Sequence, residues 1–309
     1  MKKFPITLIP DGERAKTLKT VSRLLDDMVK LKLTRQSTVI AVGGGVVGDV
    51  AGFAASIYLR GIPVVQVPTT LLAQVDSSIG GKTGVNHRAG KNLIGTFYQP
   101  RLVISDPMVL QTLPEREYSS GLYEALKYGI IRDADLFHDF ERNSGLFLKR
   151  DPQAIERLVA RCAGIKADVV MNDEKESDLR RILNFGHTVG HGLEAAAHYS
   201  RIKHGEAVGY GMIAAARIGR ALEKLTDVDR ARIEATVESV GRLPALTGLK
   251  SKDVMDALLH DKKVRDGAIH FVLPRAIGQV EITPNVPFAV VRDVVKGILH
   301  NDGKRVLGT

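Results

Sequence analysis

The sequence predicts an α/β chain, with a parallel sheet and its crossover helices first and a mainly helical part after it. Three observations carry this. Short apolar runs alternate with helical periodicity over residues 1–110, the order that a parallel sheet with right-handed crossovers requires. Long helical patterns dominate from about residue 115. Beyond that point only 269–273 and 279–283 read as strands, and they suit a small hairpin. The boundary falls near residue 114, giving domains 1–114 and 115–309.

The elements follow in order. Residues 6–9 form a short apolar run ahead of the turn Asp11-Gly12. Residues 13–31 have helical periodicity, with Leu18, Val21, Leu24, Leu25 and Met28 on one side. TVIAV (38–42) reads as a buried strand ending at Gly43-Gly44-Gly45. A helix over 49–59, a strand over 62–67 and a strand over 102–105 complete the first domain. Between the last two, 76–92 holds four glycines with Asp76, Lys82, Asn86, Lys91 and Asn92, and reads as a long polar loop. Helices are expected over 118–132, 152–170, 182–198, 206–224 and 229–240, with a frayed polar tail over 300–309.

Composition narrows the function. The chain is 44% hydrophobic, enough for a substantial core, and no apolar run is long enough to cross a bilayer. Two prolines, Pro5 and Pro10, break the first apolar run, and no small-residue cleavage site follows, so a signal peptide is not expected. A single cysteine, Cys162, excludes an internal disulfide and fits a reducing compartment such as the cytoplasm; it reads as a small buried hydrophobe. The net charge of +9 comes from scattered basic residues, with no tryptophan and 5% aromatics. That pattern lacks the stacking platforms of a nucleic-acid binder and suits small anionic substrates.

Chemistry concentrates in LNFGHTVGHGLEAAAHYSRIKHGEAV (183–208). His187 and His191 are four apart, so they share one helix face, a common way to present metal ligands; His204 could bring a third nitrogen. The plainer alternative is a polar helix face and an unrelated histidine. Gly186, Gly190, Gly192 and Gly205 crowd these histidines at roughly 1 kcal/mol each in a helix, which implies that something approaches the backbone closely. GGGVVGD (43–49) follows a strand and opens a helix, the setting in which backbone amides meet a pyrophosphate. Thr69 and Thr70 add hydroxyls at the same sheet edge. Glu124 and Lys127 stand three apart on a helix, either a surface ion pair or a ligand carboxylate beside a substrate lysine.

Taken together, DGERAK, GGGVVGDVAGF, QVPTTLLAQVDSSIGGKTGVNH, GKN, EALKYG, RCAGIKADVV, LNFGHTVGH, HGEAV and DKK occur in an order that resembles the 3-dehydroquinate synthase family of sugar phosphate cyclases. The resemblance implies a Rossmann-like N-terminal domain that holds NAD and a helical domain that holds zinc or cobalt. By position, it implies metal ligands Glu124, His187 and His204, with His191 handling protons. It places NAD against Asp11, Glu13, Lys16, Gly45, Gly48, Asp49, Thr69, Thr70, Lys82, Lys91 and Thr112. Substrate anions are expected at Lys82, Asn92, Lys127, Lys166, Arg180, Asn184 and Lys262, with Asp76 near the reacting carbons. Arg60 matches an arginine that the family lends across a homodimer interface.

The implied substrate is a seven-carbon keto-acid sugar phosphate; nucleic acid and membranes are not expected partners. A valiolone-type cyclase differs at substrate contacts, whereas Arg60, Lys166, Arg180, Asn184 and His191 keep the dehydroquinate pattern. Two departures stand out. The family has a further strand–helix–strand unit ahead of DGERAK, where this chain has ten residues, so the first domain is expected to be short at its N-terminus. DEKESDLR also carries Ser177-Asp178 where the family shows a glycine.

Overall fold

The computed structural model describes residues 4–174, 179–198, 201–260, 264–265, 268–284 and 286–305. By its internal contacts the chain divides into two units, Met1–Leu113 with Val159–Val170, and Pro114–Leu158 with Met171–Thr309.

In the first unit a 3₁₀ turn, Glu13–Ala15, precedes α1, Leu18–Lys30. The Thr17 hydroxyl accepts from the Thr20 amide and caps α1, so the helix expected from residue 13 starts later. Val21, Leu24 and Met28 are buried as expected, but Leu18, in the first turn, is 51% exposed. There follow β1 (Val39–Gly43), α2 (Gly45–Ile57), β2 (Val64–Pro68), β3 (Lys82–His87), β4 (Gly90–Phe97) and β5 (Leu102–Val103). β1, β2 and β5 form a parallel sheet in that order. β1 is not the fully buried strand expected: Ile40 and Val42 are exposed, and only the alternate face, with Ala41, packs inward.

Two further expectations are corrected here. α2 begins at Gly45, four residues before the helix read from the sequence, because the first helical turn is made of the glycine-rich segment itself. Residues 76–92 are not a loop. A π-helical turn, Ala73–Ser77, leads into an antiparallel hairpin of β3 and β4, with Lys82 opposite Phe97 and Val85 opposite Ile94. Lysines, asparagines and glycines along both strands hide the apolar alternation that would have marked them.

The second unit is mainly helical, with α3 (Glu115–Ile131), α4 (Ala134–Leu148) and α5 (Pro152–Asn172), the last shared with the first unit. A 3₁₀ segment, Leu179–Asn184, comes next, then α6 (His187–Ala196), α7 (His204–Ala221), α8 (Asp227–Ser239) and α9 (Ser251–His260). Short strands β6 (Val264–Arg265) and β7 (Ala268–Ile269) pair, and β8 (Phe271–Ala276) and β9 (Gln279–Thr283) form the expected hairpin. α10 (Phe288–Arg305) runs into the tail expected to fray; 306–309 lie outside the described residues. The sequence pattern did not single out α4, α9 or α10.

Two features position the site. Every residue of α3 from Ser120 to Ile131 is buried, including Glu124 and Lys127. The helix expected over 182–198 is broken: Gly186 is left-handed at φ 76°, and α6 starts at His187.

Candidate functional site

His187 is the first residue of α6 and His204 the first of α7. Close backbone contact brings them together. A Cβ on Gly211 of α7 would lie 1.7 Å from the Gly186 carbonyl oxygen, and one on Gly205 would lie 2.0 Å from the Ser120 carbonyl oxygen of α3. Gly186 and Gly190 likewise lie against α7 and Gly192 against α9, so neighbouring helices approach each of the crowded glycines. The start of α7 is also tied down electrostatically. Glu206 accepts from the Lys203 amide at 2.7 Å and from the Arg116 guanidinium. The Ser120 hydroxyl accepts from the Gly205 amide at 2.9 Å.

Glu124 Oε1 then stands 3.3 Å from His187 Nε2 and 3.3 Å from His204 Nε2. Lys127 Nζ lies 2.5 Å from Glu124 Oε2, both side chains 1% exposed, so the surface ion-pair alternative fails. Neither Glu124 oxygen accepts a directed hydrogen bond, although both are buried. Donors held at 2.0–2.1 Å from a tetrahedral ion stand about 3.3 Å apart, so two imidazole nitrogens at that distance from one carboxylate oxygen, neither directed as a hydrogen bond, fit a shared ion. The donor set fits a divalent metal, and one donor atom from each of the three residues lies within 4.8 Å of the others.

Burial opposes the Glu124 charge, but Lys127 and His187 hold its carboxyl well below the ordinary range. Burial, with Lys127 adding to it, pushes His187 down to about 4 against the pull of Glu124. Burial would lower His204 as well, yet Glu124 and Glu194, on either side of its ring, raise it to about 10. His191, one helical turn past His187, has its ring centroid 5.4 Å from that of His187 and 6.0 Å from that of His204. Arg180, 1% exposed, and Asn184 sit on the 3₁₀ segment that packs against α3. The Arg180 amide donates to Asp173 at 2.9 Å. Ser177, Asp178 and Lys262 lie outside the described residues.

In the first unit, the turn after Asp11 is stitched to the β3–β4 hairpin. Asn86 donates to Glu13 at 2.7 Å, and the Asn92 amide donates to Asn86 at 2.9 Å. Lys16 Nζ reaches Asp49 and Asn92, each at 2.5 Å. Burial raises the Asp49 carboxyl above its ordinary value against the pull of Lys16. Gly45 packs against Ser77, whose hydroxyl is buried with no hydrogen-bond partner. The Thr69 amide bonds the Gly43 carbonyl at 2.9 Å, and Thr70 caps the following turn. Lys166, 6% exposed, pairs with Asp76 at 2.9 Å. Lys82 is exposed on β3, Lys91 half-buried on β4, and Thr112 exposed at the end of a 3₁₀ turn, Pro107–Thr112. Arg60 is set apart from Gly45, beyond the opposite end of α2, in an exposed left-handed turn at φ 66°. A 13-residue helix separates the two by about 20 Å.

Sequence reasoning missed Glu194 and Ser77. Glu194 is three residues past His191 and seven past His187, a helical spacing that could have marked it. Ser77 carried no comparable signal.

The chain is similar to solved structures of the sugar phosphate cyclase class. A 2-epi-5-epi-valiolone synthase from Streptomyces hygroscopicus subsp. jinggangensis, solved with NAD+ and Zn2+, matches at TM-score 0.86 and 33% identity, over 96% of this chain and 82% of that one. A 2-deoxy-scyllo-inosose synthase, solved with carbaglucose-6-phosphate, NAD+ and Co2+, matches at TM-score 0.84 and 30% identity, over 93% and 81%. A probable glycerol dehydrogenase from Sinorhizobium meliloti shares the fold alone, at TM-score 0.64 and 16% identity.

Within that class, the model for the 3-dehydroquinate synthase N-terminal domain matches residues 6–120, and the model for its C-terminal domain matches 121–264. The 3-dehydroquinate synthases of Koribacter versatilis and Solibacter usitatus are 53% and 47% identical, over 94% and 96% of this chain and 79% and 83% of their own lengths. The chain belongs to the 3-dehydroquinate synthase family. No helix among the described residues is long and apolar enough to cross a membrane.

Proposed function

We propose that this chain converts 3-deoxy-D-arabino-heptulosonate 7-phosphate to 3-dehydroquinate and phosphate, as an NAD- and metal-dependent carbon–oxygen lyase. The observation that carries the metal half is the pair of 3.3 Å separations from Glu124 to two imidazole nitrogens, with both carboxylate oxygens lacking a hydrogen bond. Membership of the family supports the reaction. When bound, NAD would accept a hydride from the ring carbon that bears a hydroxyl and later return it, and a divalent cation, zinc or cobalt, would lower the pKa of that hydroxyl.

The chain's own residues do the rest. Glu124, His187 and His204 hold the cation. Lys127, buried and cationic, faces the substrate oxygens nearest it, and His191 carries protons to and from the reacting carbons. Arg180, Asn184 and Lys262 bind substrate anions. Lys166, Lys82 and Asn92 bind substrate anions as well, and Asp76 both holds Lys166 and lies by the reacting carbons.

Domain 1–114 holds the nucleotide, and 115–309 holds the metal and most of the substrate. The first turn of α2, at Gly45, Gly48 and Asp49, takes the pyrophosphate beside Thr69, Thr70 and the unpartnered Ser77 hydroxyl. Asp11, Glu13, Lys16, Lys91 and Thr112 line the remainder of the nucleotide. Arg60, exposed and turned away from Gly45, completes the site of a second copy, which makes the working form a homodimer in the cytoplasm. The test is a turnover assay with the heptulosonate phosphate, catalytic NAD and zinc. Phosphate release with no net NADH supports the reading. Stoichiometric NADH, or metal uptake without turnover, contradicts it.

A further inference from the structure

A ring nitrogen bound to a cation leaves the other nitrogen protonated, and that N–H needs an acceptor if the ring is to hold one tautomer and one orientation. The two histidines of the donor set solve this differently. His187 Nδ1 lies 3.0 Å from the Phe185 carbonyl oxygen, supplied by the backbone just ahead of α6. His204 Nδ1 instead faces a side chain, Glu194 Oε2, at 3.3 Å. Glu194 is 3% exposed, and the α6–α7 contact carries it against the His204 ring. A buried carboxylate in that position is costly unless it accepts a hydrogen bond.

We infer that Glu194 is a positioning residue: it accepts the His204 Nδ1–H and so leaves Nε2 as the atom offered to the cation. The inference rests on the metal reading of Glu124, His187 and His204. It competes with a different use of the same atoms, because His191, Glu194 and His204 also offer donors within 4.8 Å of one another. The two uses exclude each other at Nδ1, which cannot both donate a proton to Glu194 and bind an ion. The Nε2 side is favoured because it meets Glu124, whose oxygens lack hydrogen bonds, whereas Glu194 at Nδ1 gives the ring an acceptor.

The experiment measures zinc affinity by chelator competition on the full chain, as wild type, Glu194→Ala and Glu194→Gln, with the apo thermal midpoint of each. Wild type should take one zinc per chain. Glu194→Ala should bind about 10- to 100-fold more weakly, while Glu194→Gln, whose amide oxygen still accepts from Nδ1–H, recovers most of that loss. Apo midpoints report the structural cost of each change, and a fall in zinc affinity that merely follows the apo midpoint across the three proteins overturns the inference. In the zinc-loaded wild type, ¹⁵N correlation of the His204 ring should show Nδ1 protonated and Nε2 metallated, a reading that stands even where a variant misfolds. Unchanged affinity in Glu194→Ala, or a metallated Nδ1, overturns the inference and leaves the metal centre intact. A second zinc per chain, lost only with Glu194, overturns it in favour of a direct ligand. A wild type that takes up no zinc overturns the metal reading itself, and this inference with it.

Discussion

The Glu124–His187–His204 cluster and the α2 cluster are built by opposite means. In the helical unit, Glu124 and Lys127 lie on a helix buried along its whole second half, and the histidines are set by helix starts in backbone contact. In the α/β unit, Lys16, Asp49 and Asn92 come from a turn, a helix and a hairpin, and the contacts that join them are hydrogen bonds between side chains. Packed helices resist deformation because interiors are dense. Side chains on turns and strand edges move at little cost. The difference teaches that the first cluster is preorganised by packing, as a cation demands, and the second by charge pairing that a ligand's own charges can replace.

The strongest way to break this comparison is His204→Ala. It should abolish stoichiometric zinc binding and lower turnover by at least about three orders of magnitude, the scale of several kcal/mol of lost charge stabilisation. Circular dichroism should still report a folded chain; full zinc occupancy in this variant would refute the ligand assignment. Gly205→Ala comes next. Its Cβ meets the Ser120 carbonyl oxygen at 2.0 Å, so a loss of about 3 kcal/mol is expected in denaturant unfolding. Zinc affinity should fall with it, because relief of that clash shifts the start of α7.

Asp49→Asn tests the other cluster. It removes the charge that faces Lys16, which keeps its bond to Asn92, and should weaken NAD binding about tenfold, or about 1.4 kcal/mol, in a fluorescence titration, with zinc affinity unchanged. A loss of zinc would erase the distinction between the clusters. The smallest effect sharpens it by separating stability from the site. Glu234 on α8 pairs with Arg217 of α7 at 2.8 Å and with Arg230 at 2.9 Å. Burial opposes its charge, but the two guanidiniums hold it below its ordinary value of 4.5. A depressed carboxylate stabilises the fold above the unfolded-state value, and that stability disappears as pH falls through the folded-state value. Glu234→Gln should therefore cost about 1 kcal/mol at pH 7. The gap from wild type should begin to close below about pH 4.5, with zinc affinity unaffected throughout.

Much of the site was legible because its residue types are rare and its glycines crowd them. LNFGHTVGH and HGEAV announced two histidines near helix starts, and GGGVVGD a strand-to-helix turn. The HxxxH spacing pairs His187 with His191, whereas Glu124 and His204, distant along the chain, are the residues whose donor atoms lie within 4.8 Å of one from His187 across α3, α6 and α7. The β3–β4 hairpin escaped because its strands lack alternation. The exposed Ile40 and Val42 escaped because a run of apolar residues does not say how many faces are covered.

By itself the sequence determined the succession of a parallel-sheet part and a helical part, the family and the kinds of donor available, since periodicity and residue chemistry are local properties. The tertiary structure alone decided that Gly205 and Gly211 let α7 touch α3 and the Gly186 carbonyl, and so which nitrogens face one carboxylate. It also decided that Glu194 is buried against His204. Such outcomes depend on the approach of backbones from separate parts of the chain, and no local pattern encodes a distance between them.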